Sequence, residues 1–177
     1  KRFLEAGIDV ICDKPLTTTL AEAQDLVATV RRSGRLLGVT LCYTGYPMVR
    51  HARQMVKDGA LGEIRVVQVE YPQDWLTEKL EATGQKQAEW RADPARNGIG
   101  GAIADIGTHA HNLAAYVTGL ALTELCADLS SFVKGRALDD NAQFRHTLQA
   151  GADAHPRAAV SDDTDHAIQR AAAVNEV

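Results

Sequence analysis

The sequence predicts an α/β fold at its start, on three observations. The runs "IDVIC" (8–12) and "LLGVTLCY" (36–43) are short and apolar, as strands buried in a parallel sheet are. Between them Leu20, Ala23, Leu26 or Val27, and Val30 recur at helical spacing, and Thr19 with Glu22 fits a capping box. Strand, helix and strand joined by short connections make a βαβ unit, whose ligands usually sit beyond the carboxyl ends of its strands. Asp13 to Pro15 and Tyr43 to Tyr46 occupy those ends.

Ahead of the first strand, "KRFLEAG" reads as the last turns of a helix closed by Gly7, so further chain is expected upstream. After the unit, Pro47 opens a helix with Val49, Ala52, Met55 and Val56 on one face and Gly59 past its end. "IRVVQVEY" (64–71) alternates and is rich in β-branched residues, which predicts a strand. Residues 72–98 are polar, hold Trp75 and Trp90, and read as a long surface excursion, a kind of loop that usually has a task. "NGIGG" then opens a helix running to about Gly119, and "LTELCADLSSFV" supplies another strand. Beyond "GRALDDNA" (135–142) apolar positions are mostly alanine, and a poorly structured tail is expected over 142–177.

Composition narrows the function. With 177 residues, 45% of them apolar, the chain is long enough to bury a core, and a net charge of −4 from scattered residues gives no footprint for nucleic acid or an anionic membrane. Cys12, Cys42 and Cys126 are odd in number and lack ligand spacing, as reduced cytoplasmic thiols do. No apolar run approaches the ~20 residues a membrane helix needs.

The chemistry-bearing groups crowd into "GGAIADIGTHAHNL" (100–113). On an α-helical wheel Ile106, Ala110, Leu113 and Val117 form a core seam, and Asp105, His109, Asn112 and Tyr116 run beside it. His111 falls on the other side, so the histidines cannot share a metal ion; no His-x3-His or Cys pair offers a zinc site, and no metal is expected. An acid four residues before a histidine suits an oriented general base, the carboxylate fixing the imidazole tautomer while the other ring nitrogen takes a proton. A carboxylate favoured by the helix dipole beside a half-buried histidine would give the same pattern without catalysis. The second constellation is "CDKPL", where Lys14 leaves the first strand at its carboxyl end and Pro15 locks the turn. A lysine there can hydrogen-bond a hydroxyl or carbonyl oxygen, although a surface turn explains the tripeptide as often.

Taken together, "AGIDVICDKPLTTTLAEAQDL", "GYPMVRHARQMVKDGALGEIRVVQVEY" and "EWRADPARNGIGGAIADIGTHAHNLAAYVTGL" resemble, in order and spacing, the glucose-fructose oxidoreductase / inositol dehydrogenase (Gfo/Idh/MocA) family. The resemblance spans residues 1 to about 141. It implies the C-terminal part of a Rossmann domain over 1–44 and, over 45–141, an α+β substrate and oligomerisation domain with an open, mainly antiparallel sheet. It also implies NAD or NADP as cofactor, a sugar or polyol as substrate, and a homo-oligomer formed through that sheet. Under it Lys14 contacts the reacting hydroxyl and the nicotinamide ribose, Asp105 helps hold the substrate, and His109 is the general base. Asp13, Lys14 and Pro15 stand where the family has Glu-Lys-Pro, and Trp90 with Arg91 resembles its Trp-Arg pair near the cofactor. Tyr43 and Asn112 are the expected substrate contacts.

Two departures accompany the resemblance. The Gly-x-Gly-x-x-Gly fingerprint does not occur after a strand; the near match at Gly98, Gly100 and Ile103 follows a loop. The residues after 141 lack the family's sheet-completing pattern. A non-catalytic ligand-sensing relative and a stand-alone α+β interaction module are the alternatives to a dehydrogenase.

Overall fold

A computed structural model of the chain describes residues 1–149. They divide into two compact units, the first built from Lys1–Thr40, Tyr71–Thr108 and Ala127–Phe144, the second from Leu41–Glu70, His109–Cys126 and residues from Arg145 onward.

The first unit opens with helix α1 (Arg2–Glu5), strand β1 (Val10–Cys12), helix α2 (Leu20–Ser33) and strand β2 (Leu37–Val39). β1 and β2 pair in parallel with Ile11 opposite Gly38, as the βαβ reading requires. The capping box forms at Thr19: its hydroxyl accepts from Glu22 N at 3.3 Å while the Glu22 carboxylate accepts from Thr19 N at 3.0 Å. Gly34, at φ +64°, closes the helix in the left-handed region that glycine enters without a Cβ clash. α1 packs on α2, and Leu4 of α1 and Thr29 of α2 are each 1% exposed. The covered face of α2 is Ala23, Leu26, Thr29 and Val30, whereas Leu20 and Val27 are exposed. Thr29 can sit inside because its hydroxyl donates to the Asp25 carbonyl one turn back.

The excursion of the first unit is structured by caps rather than by apolar periodicity. Helix α4 (Lys86–Arg91) starts where Gln85 Oε1 accepts from Ala88 N, and α5 (Pro94–Asn97) where Asp93 Oδ1 accepts from Ala95 N. Ala88, fully buried, anchors α4. A π-helical turn, Ile103–Gly107, follows.

In the second unit a 3₁₀ turn (Cys42–Gly45) leads into helix α3 (Pro47–Lys57), whose covered positions include Val49, Ala52, Met55 and Val56 as the spacing predicts. Arg53 ties α3 to helix α6 (Thr108–Thr118) by donating to the Tyr116 carbonyl at 2.6 Å and lying 4.4 Å above the Tyr116 ring. Strands β3 (Ala121–Ser130) and β4 (Asn141–Gln149) pair in a second two-stranded sheet. Among the described residues no helix is long and apolar enough to cross a membrane.

Three expectations change. Residues 64–71 belong to neither sheet: alternation gives a segment the capacity to pair, but pairing needs a neighbouring strand. The α-wheel does not hold across Ile103–Gly107, because a π-turn takes an extra residue per turn; the wheel applies from Thr108 onward, and there His109 is the one buried residue. Ile106, Ala110, Leu113 and Val117 are all partly exposed rather than a closed seam, and His111 is partly covered. Of the tail expected over 142–177, residues up to Gln149 lie in β4, and the remainder lies outside the described residues.

Candidate active site

The site in the first unit is built on the turn after β1. Asp13 fixes that turn: its Oδ1 accepts from Lys14 N at 2.9 Å and from the hydroxyl of Thr40, just past β2, at 2.6 Å. The Lys14–Pro15 peptide bond is cis. The Lys14 side chain reaches 91 residues along the chain to Asp105, its Nζ donating at 2.5 Å to Oδ1 and at 2.7 Å to the carbonyl oxygen. Both side chains are largely covered, at 17% and 24% exposure, so the pair is screened less than a surface pair. An ammonium has three donors, and two are engaged by Asp105, leaving one for an incoming oxygen.

Asp105 Oδ2 faces a second cation, Arg91 Nε at 3.5 Å. Arg91 Nε is itself buried without a hydrogen-bond partner. The guanidinium is held by stacking, 4.3 Å from the centre of the Trp90 ring and 5.6 Å from that of Trp75. Within the first unit the Asp105 carboxylate thus meets two cations, Lys14 and Arg91, brought from two other segments.

The start of the helical turn carrying Asp105 is gripped by one residue. Asp139 accepts from Gly101 N at 2.6 Å and Ile103 N at 2.8 Å with its two carboxylate oxygens, and from Ala102 N at 2.9 Å with its carbonyl. These are N–H groups that a helix start leaves without partners. The neighbouring Asp140 organises the β3–β4 connection, accepting from Phe132 N, Val133 N and the Ser131 hydroxyl. Burial alone would raise the Asp140 carboxyl, but these N–H donors and Arg136 hold it below its usual range. Arg136, with 2% of its side chain exposed, forks onto Glu81 at 2.9 and 3.0 Å. It also donates to the carbonyls of Leu76 and Glu78 and to Asp140. Those hydrogen bonds pull the Glu81 carboxyl below the usual range as well.

In the second unit His109 is 5% exposed, and its ring meets that of Tyr43 edge-on, centroids 4.7 Å apart. Tyr43 sits in the 3₁₀ turn after β2, 5.8 Å from the Tyr46 ring, and Asn112 lies partly exposed on α6. No cluster of three or more His, Cys, Asp or Glu side chains able to hold a metal ion occurs among the described residues.

Family models match nearly the whole chain. Residues 1–41 match an oxidoreductase family with an NAD-binding Rossmann fold, and residues 49–170 the GFO/IDH/MocA C-terminal domain. The chain belongs to the Gfo/Idh/MocA oxidoreductase family. The uncharacterized oxidoreductase YfiI of Bacillus subtilis strain 168 is 37% identical over 86% of this chain and 39% of its own length. The levoglucosan dehydrogenase of Pseudarthrobacter phenanthrenivorans is 30% identical over 83% of this chain and 36% of its own. Among solved structures, an inositol dehydrogenase homolog from Azotobacter vinelandii, complexed with NADH and myo-inositol, superposes with a TM-score of 0.74. It is 36% identical and covers 85% of this chain and 38% of that one. The chain thus spans about two fifths of the Gfo/Idh/MocA proteins it matches. The C-terminal match extends past residue 141, where the family pattern was expected to stop.

Of the residues expected to serve a Gfo/Idh/MocA site, the structure brings Lys14, Asp105, Arg91 and Trp90 into one cluster of the first unit, with Asp13 and Pro15 at its turn. Tyr43 and His109 meet in the second. Trp75, Glu81, Arg136, Asp139 and Asp140 are not legible from spacing. The signal available for the last two was an aspartate pair just ahead of a strand, a residue type that satisfies backbone N–H groups at turns.

Proposed function

We propose that this chain carries part of the catalytic apparatus of an NAD(P)-dependent dehydrogenase that oxidises a hydroxyl of a sugar or polyol. One observation carries the reading: Lys14, at the carboxyl end of a parallel strand, is joined to Asp105 at 2.5 Å across 91 residues. A surface turn would not need such a partner. The domain division proposed is 1–44 and 45–141, supported by family matches that break between residues 41 and 49.

The residues present fit the nicotinamide end of a dinucleotide. Lys14 keeps one donor, and Arg91 Nε is a shielded N–H with no hydrogen-bond acceptor. Asp13, Lys14, Pro15, Trp90 and Arg91 would hold that end. When bound, the nicotinamide supplies the hydride acceptor. Lys14 would donate to the substrate oxygen, orienting the carbinol and stabilising charge on that oxygen as its proton leaves. Asp105 keeps the ammonium in place and itself accepts from substrate hydroxyls. His109, four residues beyond Asp105 in the sequence, takes the hydroxyl proton on a ring nitrogen. Tyr43 and Asn112 contact the rest of the substrate, and copies of the whole protein associate through the sheet of the second domain.

The test follows nicotinamide absorbance in the whole protein against a panel of sugars and polyols, alongside His109→Ala. Turnover that drops about 10²- to 10⁴-fold in the variant, with cofactor affinity retained, is expected. Cofactor or sugar binding without any turnover would favour a ligand-sensing relative instead.

A further inference from the structure

Beyond the residues assigned above, we propose that Asp139 is a positioning residue for Asp105, rather than only a brace for the loop it belongs to. The inference rests on the reading that Lys14 and Asp105 form the working pair. Asp139 satisfies three successive N–H groups, those of Gly101, Ala102 and Ile103, and so sets where the turn Ile103–Gly107 begins. Asp105 is the third residue of that turn and hydrogen-bonds back from its own N–H to the Gly101 carbonyl at 3.0 Å. A shift of the Gly101–Ile103 backbone is therefore passed to Asp105 through one hydrogen bond.

Two further observations say that the fit is specific. A Cβ at Gly101 would run into the Asp139 carbonyl oxygen and stand 3.0 Å from the Leu138 Cβ, so the two backbones approach as closely as only glycine permits. Asp139 is also the start of a closed ring of contacts. Its neighbour Asp140 binds Arg136, which holds Glu81 and the Leu76 carbonyl. Trp75, next to Leu76, stacks near Arg91, and Arg91 returns to Asp105. Asp105 is thus set from one side by the helix start and from the other by the arginine.

The experiment compares Asp139→Ala, Asp139→Asn and Thr19→Ala in the whole protein. Thr19→Ala removes the α2 cap and lowers the melting temperature without touching this ring. The reporter is the NMR signal of the Lys14 ε-methylene, with Asp105→Asn fixing its position when the charge partner is lost. Asp139→Ala should move the signal at least half-way to that reference and speed amide exchange at Ile103 about tenfold or more. Asp139→Asn, which keeps one acceptor oxygen, should fall between, and it carries the test if the alanine variant does not fold. Where turnover is measurable, kcat should fall. A Lys14 signal that stays in place in a folded Asp139 variant, or that moves equally in Thr19→Ala, overturns the proposal. Absence of turnover in the unsubstituted protein sinks the dehydrogenase reading instead and leaves the Lys14 signal readable.

Discussion

Replacing Arg136 with methionine tests whether the excursion is clamped as the structure shows. The substitution keeps most of the side-chain volume and removes five hydrogen bonds: two to Glu81, two to the carbonyls of Leu76 and Glu78, and one to Asp140. Glu81 and Asp140 are only 13% and 10% exposed, so each carboxylate would be left covered without its cation. Breaking a buried ion pair from one side costs about 3–5 kcal/mol. In a cooperative unit of about 150–250 residues that is a loss of roughly 6–20 °C in melting temperature. Denaturant and thermal melts of the whole protein measure it, and limited proteolysis at Lys79 reports whether the excursion comes loose. The sign of the pH dependence is fixed by the same groups. Both carboxyls titrate lower folded than unfolded, so their contribution is present in full above about pH 5 and is lost as pH falls below about 4. Arg136→Met should therefore flatten the acid limb of stability against pH as well as lower the plateau. A loss under about 1 kcal/mol with an unchanged acid limb would refute the clamp.

Two other outcomes are expected from packing. Gly101→Ala forces its methyl group against the Asp139 carbonyl and should cost about 1–3 kcal/mol, read as a lower denaturation midpoint. Leu4→Ala empties the α1–α2 contact, where Leu4 is 1% exposed, and should cost about 2–5 kcal/mol; a change below 1 kcal/mol would mean that α1 is not packed there.

What the sequence revealed was local. Thr19, Glu22 and Pro47 announce their helix starts because capping depends on residues close in the chain, and the apolar runs of β1 and β2 needed only each other. The π-turn was not legible, since no residue in "IADIG" forbids an α-turn; the fit of Gly101 against Asp139 is a tertiary matter. In the site, Lys14 and Asp105 were each singled out, but their mutual contact was not, because nothing in either neighbourhood encodes a partner 91 residues away. Nothing in the sequence around Arg136 sets it apart from the other scattered charges; the backbone carbonyls and Glu81 that surround it come from elsewhere in the chain.

That same separation dictates when the Lys14–Asp105 contact is made. A contact across 91 residues must meet the entropy of closing a long loop, roughly 4 kcal/mol, before it returns anything, whereas each helix turn is repaid locally as it forms. The helices and the β1–β2 pair can form while Asp105 is still far away, so the charge pair locks onto a scaffold already assembled. Damage to it should leave the speed of folding nearly intact and shorten the lifetime of the folded state.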